Sequence, residues 1–191
     1  MGPVARHERI VRIRSIIAFV FPNCFLLDLP PWFLLPPRDT PSSNDAISVL
    51  AGASDGRHQL GADLVEKGVA SNFVISNPGG DGEPIRYSHC AGDKRPESAT
   101  ETRCMKPVLG TTMGEAKTVG SLAESENWQS LTVVTNRPHT RRVRMTFEQC
   151  TTLDISVVSI DNVDVVRAPV HIAREIAGFI NSGLQTLAEG C

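Results

Sequence analysis

The segment after residue 135 combines a histidine with arginines, which are residue types that transfer protons and hold anions. Residues 130–135 have the hydroxyl and β-branched composition of a buried strand. Pro138 predicts that a helix begins directly afterwards, because proline lacks the N–H that has no partner in a first helical turn. His139 then lies near the positive end of that helix, which disfavours imidazolium and leaves a neutral ring able to exchange a proton. Because open α/β proteins bind ligands at the carboxyl ends of their strands, we predict a ligand site beside His139.

Three arginines on the same predicted helix indicate that the ligand is anionic. Guanidinium groups match the geometry of phosphate and carboxylate groups. Arg142 follows His139 by three residues and shares its helix face, whereas Arg141 and Arg144 are turned partly away. We therefore predict that Arg142 binds the anion and that Arg141 and Arg144 are surface charges. A solvated histidine on a solvated helix face is the alternative explanation.

The composition indicates one domain with an appended N-terminal segment. The chain has 191 residues, of which 41% are hydrophobic, enough for one sizeable core. Its net charge of −2 argues against a nucleic-acid-binding protein, because such proteins usually carry a basic surface. We therefore expect the basic residues to act at particular sites and not as a basic surface.

The N-terminal composition predicts a membrane anchor. Residues 1–14 are rich in arginine and precede an apolar stretch, residues 15–35, which we interpret as an uncleaved signal anchor with its basic flank in the cytoplasm. Residues 36–44 have the proline and serine content of an extended linker. A folded domain over residues 45–191 would then lie outside the plasma membrane. A cleaved signal peptide and an amphipathic surface segment are the alternatives.

The domain is predicted to be an α/β fold. Short apolar runs alternate with amphipathic stretches, and this alternation predicts a Rossmann-like parallel sheet of about four to five strands with helices on both faces. The predicted strands cover residues 47–52, 72–76, 130–135 and 155–160. The predicted helices cover residues 57–67, 112–127, 138–150 and 168–187.

Three predicted strands end in small residues that would lie on one edge of this sheet, at Gly52, Ser76 and Thr135. Parallel strands present their carboxyl ends on the same side, so loops that are distant in sequence converge there. The first loop continues from Gly52 to Ala53 and Arg57, and its backbone N–H groups are suited to an anion. An ordinary tight turn is the alternative.

A Thr-x-x-Glu spacing, at Thr112 and Glu115, opens the next predicted helix. One interpretation is a capping box, with Thr111 or Thr112 as the N-cap, which contributes about 1 kcal/mol. The functional interpretation is that Glu115 positions His139 or a water molecule at the same edge of the sheet. The two interpretations are compatible.

Cys90 and Cys104 bracket part of a segment, residues 77–110, that is predicted to be a long irregular loop. A disulfide between them would contribute about 3 kcal/mol and would require an oxidising compartment. Two independent thiols in a cytosolic loop are the alternative. None of the five cysteines shows the C-x-x-C spacing of a structural metal site, so no metal is predicted.

Four motifs occur together in this chain: Ala46 to Gly52 with Arg57, Val74-Ile75-Ser76, Thr112-x-x-Glu115-Ala116, and Val133-Val134-Thr135-Asn136-x-x-His139-x-x-Arg142. In order and spacing, these motifs resemble the YdcF/SanA/ElyC-like envelope proteins, known as domain of unknown function 218. The resemblance covers about residues 45–160, and members are similar at the N-terminus as well, with basic residues, one membrane anchor and a proline-rich link. The cysteine pair is similar to that of actinobacterial-type members.

The resemblance implies a single-pass envelope protein whose domain binds a phosphate-bearing envelope or peptidoglycan precursor, such as a lipid-linked phosphate. In the catalytic version of this hypothesis the domain hydrolyses or transfers the phosphate group, with Arg57 and Arg142 on the anion, and His139 and Glu115 as the catalytic pair. The other predicted ligand contacts are small or hydroxyl-bearing residues: Gly52, Ala53, Ser76, Thr112 and Thr135. The alternative is a non-catalytic module that binds a nucleotide or S-adenosylmethionine, or an envelope scaffold. No other cofactor is predicted, and the oligomeric state is left open.

Overall fold

A five-stranded parallel sheet forms the centre of the protein. The computed structural model describes residues 31–41, 43–160 and 166–191. Every strand pairing is parallel and the strand order is β3-β2-β1-β4-β5. The strands are β1 (Ala46–Val49), β2 (Asn72–Ser76), β3 (Glu101–Met105), β4 (Ser130–Asn136) and β5 (Asp154–Ile160).

Helices cover both faces of the sheet, so the predicted Rossmann-like α/β class is confirmed. The helices are α1 (Arg57–Glu66), α2 (Pro84–Cys90), α3 (Thr112–Glu126), α4 (Thr140–Cys150) and α5 (Ala168–Glu189). One hydrophobic cluster joins α1 and the end of α2 to the sheet, and a second joins α3 and α4 to it. Because β1 is sandwiched between these layers, all four of its side chains are buried, as expected for a central parallel strand.

The prediction of an irregular loop over residues 77–110 is wrong, because this segment contains α2 and β3. Pro84 begins α2 at the position where a missing N–H has no consequence. The strand β3 lies at the edge of the sheet, and of its five side chains only that of Met105 is buried, so it lacks the apolar run that marks a central strand. A disulfide between Cys90 and Cys104 joins the two elements.

A second disulfide joins Cys150, at the end of α4, to Cys191. The sequence left these two cysteines unassigned. Cys24 and most of the predicted anchor, residues 15–30, lie outside the described residues, as does the basic flank at residues 1–14. In the part of the chain that the structure describes, no helix has both the length and the apolar character needed to cross a membrane.

The end of the predicted anchor and the predicted extended linker both contact the domain, at Trp32 and at Asp39. The carboxylate of Asp39 accepts hydrogen bonds from the Arg144 guanidinium and from the N–H of Val157, the latter at 2.7 Å. Arg141 donates to the carbonyl oxygen of Trp32 at 2.7 Å, and its guanidinium lies 4.6 Å from the centre of the Trp32 ring. Arg141 and Arg144 therefore turn away from the predicted site, as expected, but they bind the N-terminal segment and are not merely surface charges.

The strand order places a crevice between β1 and β4. These neighbours are paired in register from Ala46 with Leu131 to Val49 with Val134. After β1 the chain continues to α1 and β2, on one side of the crevice. After β4 it continues to α4 and β5, on the other side. The two loops diverge at this topological switch point, which is where open α/β sheets bind their ligands.

Candidate functional site

A cleft of about 580 Å³ lies at the carboxyl ends of β1 and β4. Five arginines and two carboxylates contribute to its walls, so an anion is favoured there over a cation. The arginines are Arg57, Arg86, Arg142, Arg167 and Arg174. The carboxylates are Asp55 and Glu175.

A second compartment of about 410 Å³ adjoins the first. The two share Ala51, Gly52, His139, Arg142 and Arg174, so these residues form the boundary between them. Beyond the boundary the second compartment is lined by Glu115 and by neutral polar and small side chains. We call the first space the arginine compartment and the second the neutral compartment.

His139 is held at three points. Its backbone N–H donates to the side-chain oxygen of Asn136 at 3.2 Å, which caps the 3₁₀ turn Arg137–His139 ahead of α4. Its Nδ1 lies 2.9 Å from a carboxylate oxygen of Glu175, and its Nε2 lies 3.3 Å from the Thr112 hydroxyl. An ionised carboxylate only accepts hydrogen bonds, so Nδ1 carries the proton and Nε2 of the neutral ring is the acceptor.

Burial lowers the pKa of His139, because the protein interior disfavours the charged ring. Glu175 opposes this shift, while the positive charges of Arg142 and Arg57 reinforce it. The balance keeps His139 neutral near pH 7. The ring is therefore in the state that accepts a proton at Nε2, as the sequence predicted.

Glu175 also binds Arg142. Arg142 donates from Nε to one carboxylate oxygen at 2.8 Å and from Nη2 to the other at 3.2 Å. Burial would raise the pKa of Glu175, but hydrogen bonds from His139 and Arg142 outweigh burial and hold the pKa at about 2. One ionised carboxylate thus fixes both residues, which lie side by side although His139 belongs to the 3₁₀ turn and Arg142 to α4.

Thr112 completes the arrangement. Its hydroxyl oxygen accepts a hydrogen bond from Arg142 Nη1 at 3.0 Å, which leaves the hydroxyl proton directed toward His139 Nε2. Glu175, His139 and Thr112 therefore stand in the order of orienting acid, base and hydroxyl group. Chemically, the ring can take a proton from this hydroxyl or from a ligand group that displaces it.

Thr111, not Thr112, is the N-cap of α3, and its side chain accepts from the N–H of Gly114 at 3.1 Å. Glu115 does not form a capping box. Its carboxylate accepts a hydrogen bond from the N–H of Ala51, in the first loop, at 2.8 Å. The predicted contact of Glu115 with His139 is therefore not formed. Burial raises the pKa of Glu115, against the opposing effect of Ser76, Ala51 and two arginines.

The Arg57 side chain holds the first loop in place through hydrogen bonds. It donates to the carboxylate of Asp55 from Nε at 2.9 Å and to the carbonyl oxygen of Ala51 from Nη1 at 3.0 Å. Gly52 has a φ of +153°, and a Cβ there would lie 2.6 Å from Arg57 Nη1. The loop therefore requires glycine at this position both for its backbone and for the close approach of the guanidinium.

The predicted site residues divide into two groups. Those that line a compartment are Gly52, Ala53, Arg57, Thr112, Glu115, His139 and Arg142. Ser76 and Thr135 line neither compartment; both are fully buried at the ends of their strands, below the crevice. The sheet therefore brings most of the predicted residues together, while these two lie beneath the site.

Sequence reasoning missed the contribution of α5. His171, Arg174 and Glu175 line the arginine compartment from this helix. Their spacing of three and four residues places them on one helix face. That polar face was the feature of the sequence from which their place in the site could have been predicted. Arg86 of α2 was also missed, because the segment that contains it was predicted to be irregular; it donates to the carbonyl oxygen of Gly52 at 2.8 Å.

Fold and site together define a doubly wound α/β domain with an arginine-lined cleft at its topological switch point. Among residues 31–41, 43–160 and 166–191, no three His, Cys, Asp or Glu side chains are grouped so as to hold a metal ion. Comparison of the chain with protein-family models, curated proteins and solved structures finds no match.

Proposed function

We propose that this domain binds a phosphate-bearing small molecule, of the kind carried by envelope and peptidoglycan precursors, at the boundary between the two compartments. The observation that carries the proposal is the convergence of five arginines on a cleft that contains a neutral histidine. Phosphate is the ligand group that guanidinium forks match best. A switch-point crevice is the position at which such a ligand is expected in this fold.

Arg174 is the arginine best placed to bind the ligand directly. Its side chain is exposed to solvent and lines both compartments. Arg57 and Arg142, by contrast, already bind carboxylates, so they contribute charge and a part of their N–H groups. The proposal therefore assigns direct anion contact to Arg174, with Arg57 and Arg142 in support.

His139 gives the proposal its catalytic part. His139 lines both compartments, and its Nε2, beside the Thr112 hydroxyl, is the nitrogen without the proton. In that state it takes a proton from a water or hydroxyl that attacks the phosphorus, and then returns it to the oxygen that leaves. We propose binding as the primary activity and this proton transfer as the route to hydrolysis or transfer.

The proposed location is the outer side of the plasma membrane, with the anchor in the part of residues 15–35 ahead of Trp32, which contacts Arg141 of the domain. Two disulfides support this location, because disulfides persist in oxidising compartments. A reporter that is active only outside the membrane, fused after Pro41, tests it. Reporter activity confined to the cytoplasm would overturn the location and leave the binding proposal standing.

A non-catalytic nucleotide-binding module is the second candidate, favoured by the same switch-point crevice. S-adenosylmethionine fits less well, because its sulfonium group is positive and five arginines line the cleft. A comparison of ligands therefore separates these possibilities.

The test measures binding of inorganic phosphate, pyrophosphate, AMP and S-adenosylmethionine to the full-length protein by calorimetry and thermal shift. We expect the phosphate compounds to bind and Arg174→Ala to weaken them by about tenfold, the effect of one charge-assisted contact. Arg95→Ala removes an exposed arginine that lines neither compartment and is the matched control. Absence of phosphate binding at millimolar concentration, or equal loss in the control, would contradict the proposal.

A further inference from the structure

The neutral compartment differs in chemistry from the arginine compartment. Its arginines, Arg142 and Arg174, are both at the shared boundary. Away from the boundary its polar side chains are uncharged except for Glu115. A group that enters this space therefore meets hydrogen-bonding partners with little net charge.

Three of those partners come from one stretch of α5, at Asn181, Ser182 and Gln185. Each amide side chain both donates and accepts hydrogen bonds, as a hydroxyl does. Asn181 is exposed and Gln185 is half-buried, so both amides are accessible to a ligand. Pro78 and Pro107 add apolar surface to the same wall. Amides beside apolar rings suit a ligand with hydroxyl edges and apolar C–H faces.

We propose that the neutral compartment of about 410 Å³ binds a sugar ring, so that the ligand of this protein is a sugar phosphate. The phosphate lies at the boundary, next to His139 and Arg174, and the bond from the phosphate to the sugar crosses into the neutral compartment. The inference rests on the proposed function, because the sugar is attached to the phosphate group whose binding is proposed there.

Buried Glu115 fits this assignment. The residue is only 6% exposed and lines the neutral compartment. One of its oxygens accepts from the N–H of Ala51 at 2.8 Å. Since burial raises the pKa of Glu115, a protonated carboxyl there is able to donate to a hydroxyl oxygen.

The experiment compares inorganic phosphate, glucose 1-phosphate, glucose and O-phosphoserine on the full-length protein by calorimetry. We expect glucose 1-phosphate to bind about tenfold more tightly than inorganic phosphate, as two additional hydrogen bonds of ordinary strength would provide. The Asn181→Ala/Gln185→Ala double variant is expected to abolish that preference and to leave phosphate affinity unchanged. Gln149→Ala removes an exposed amide of α4 that lines neither compartment and is the control.

The outcomes distinguish the two proposals. Equal affinity for phosphate and glucose 1-phosphate, or tighter binding of O-phosphoserine, overturns the sugar assignment while the phosphate site stands. A tenfold preference that persists in the double variant also overturns the assignment, because the sugar then lies elsewhere. If inorganic phosphate and the phosphate esters all fail to bind, the proposed function fails and the sugar assignment falls with it.

Discussion

Glu175 and His139 form a carboxylate–imidazole pair in which Oε2 and Nδ1 are 2.9 Å apart. The two residues are 36 positions apart in the sequence and belong to α5 and to the turn before α4. Because the carboxylate holds the proton on Nδ1, the pair leaves Nε2, which lies beside the Thr112 hydroxyl, as the acceptor. A residue of α5 therefore sets the tautomer of the predicted base, while burial keeps its ring neutral.

Replacing Glu175 by Gln is expected to lower the free energy of unfolding by about 2 kcal/mol, because partly buried Arg142 loses its counter-ion and His139 its orienting carboxylate. Urea denaturation measures the loss. Glu148→Gln removes an exposed partner of Arg144 and is the matched control, with an expected loss of less than about 0.5 kcal/mol. Equal losses in both variants would show that the Glu175 pair has no special role.

Replacing Arg142 by Lys keeps the charge but removes the fork that reaches both Glu175 and Thr112. We expect phosphate affinity to fall by about tenfold, since the ammonium group cannot make both contacts and still face the ligand. Isothermal titration calorimetry measures the phosphate affinity. Arg144→Lys, on the same helix but bound to Asp39, is expected to keep wild-type affinity. Unchanged affinity in both variants would remove Arg142 from the site.

Replacing Gly52 by Ala is expected to destabilise the protein by about 2 kcal/mol, through backbone strain and through contact with Arg57. Gly56→Ala separates the two causes: its φ is +96°, but no atom lies within 4 Å of the added Cβ. We expect Gly56→Ala to cost less stability and to leave phosphate affinity intact, whereas Gly52→Ala displaces the guanidinium and weakens binding. If both variants behave alike in calorimetry, displacement of Arg57 does not matter.

Acid is expected to destabilise the protein through His58. Burial lowers the pKa of His58 to about 4, and electrostatic interactions with His89, Arg57 and Arg86 add to this shift, against the effect of Asp55. The unfolded chain takes up this proton near pH 6.5 and the folded chain only near pH 4, so stability falls as the pH drops through that window. Over the whole window the free energy of unfolding is expected to fall by about 3 kcal/mol.

Urea denaturation between pH 7 and pH 4 measures the His58 effect. His58→Gln cannot titrate, so the variant is expected to lose the corresponding part of the slope. Glu175 contributes in a lower window, since its depressed pKa stabilises the fold above pH 4.5 and that contribution is lost as the pH falls toward 2. A His58→Gln profile that matches wild type across pH 7 to 4 would refute the assignment.

The elements of this fold could be predicted where the sequence pattern was strong. The strands around Ile47, Phe73 and Val133 are fully buried, so their apolar runs marked them clearly. The edge strand β3 could not be recognised, because an edge strand with exposed side chains does not require an apolar run. The helix α2 was hidden in the same segment, since seven residues are too few to show a helical period.

The sequence by itself determined the α/β class, the parallel direction of the strands and the proximity of His139 and Arg142 at the start of one helix. These features follow from local periodicity and from the right-handed crossover between parallel strands. Only the tertiary structure decided that Glu175 orients His139, that Glu115 binds the first loop, and that Ser76 and Thr135 lie below the cleft. Those relationships join residues that are distant along the chain, and they depend on how helices pack across a sheet, which no local pattern encodes.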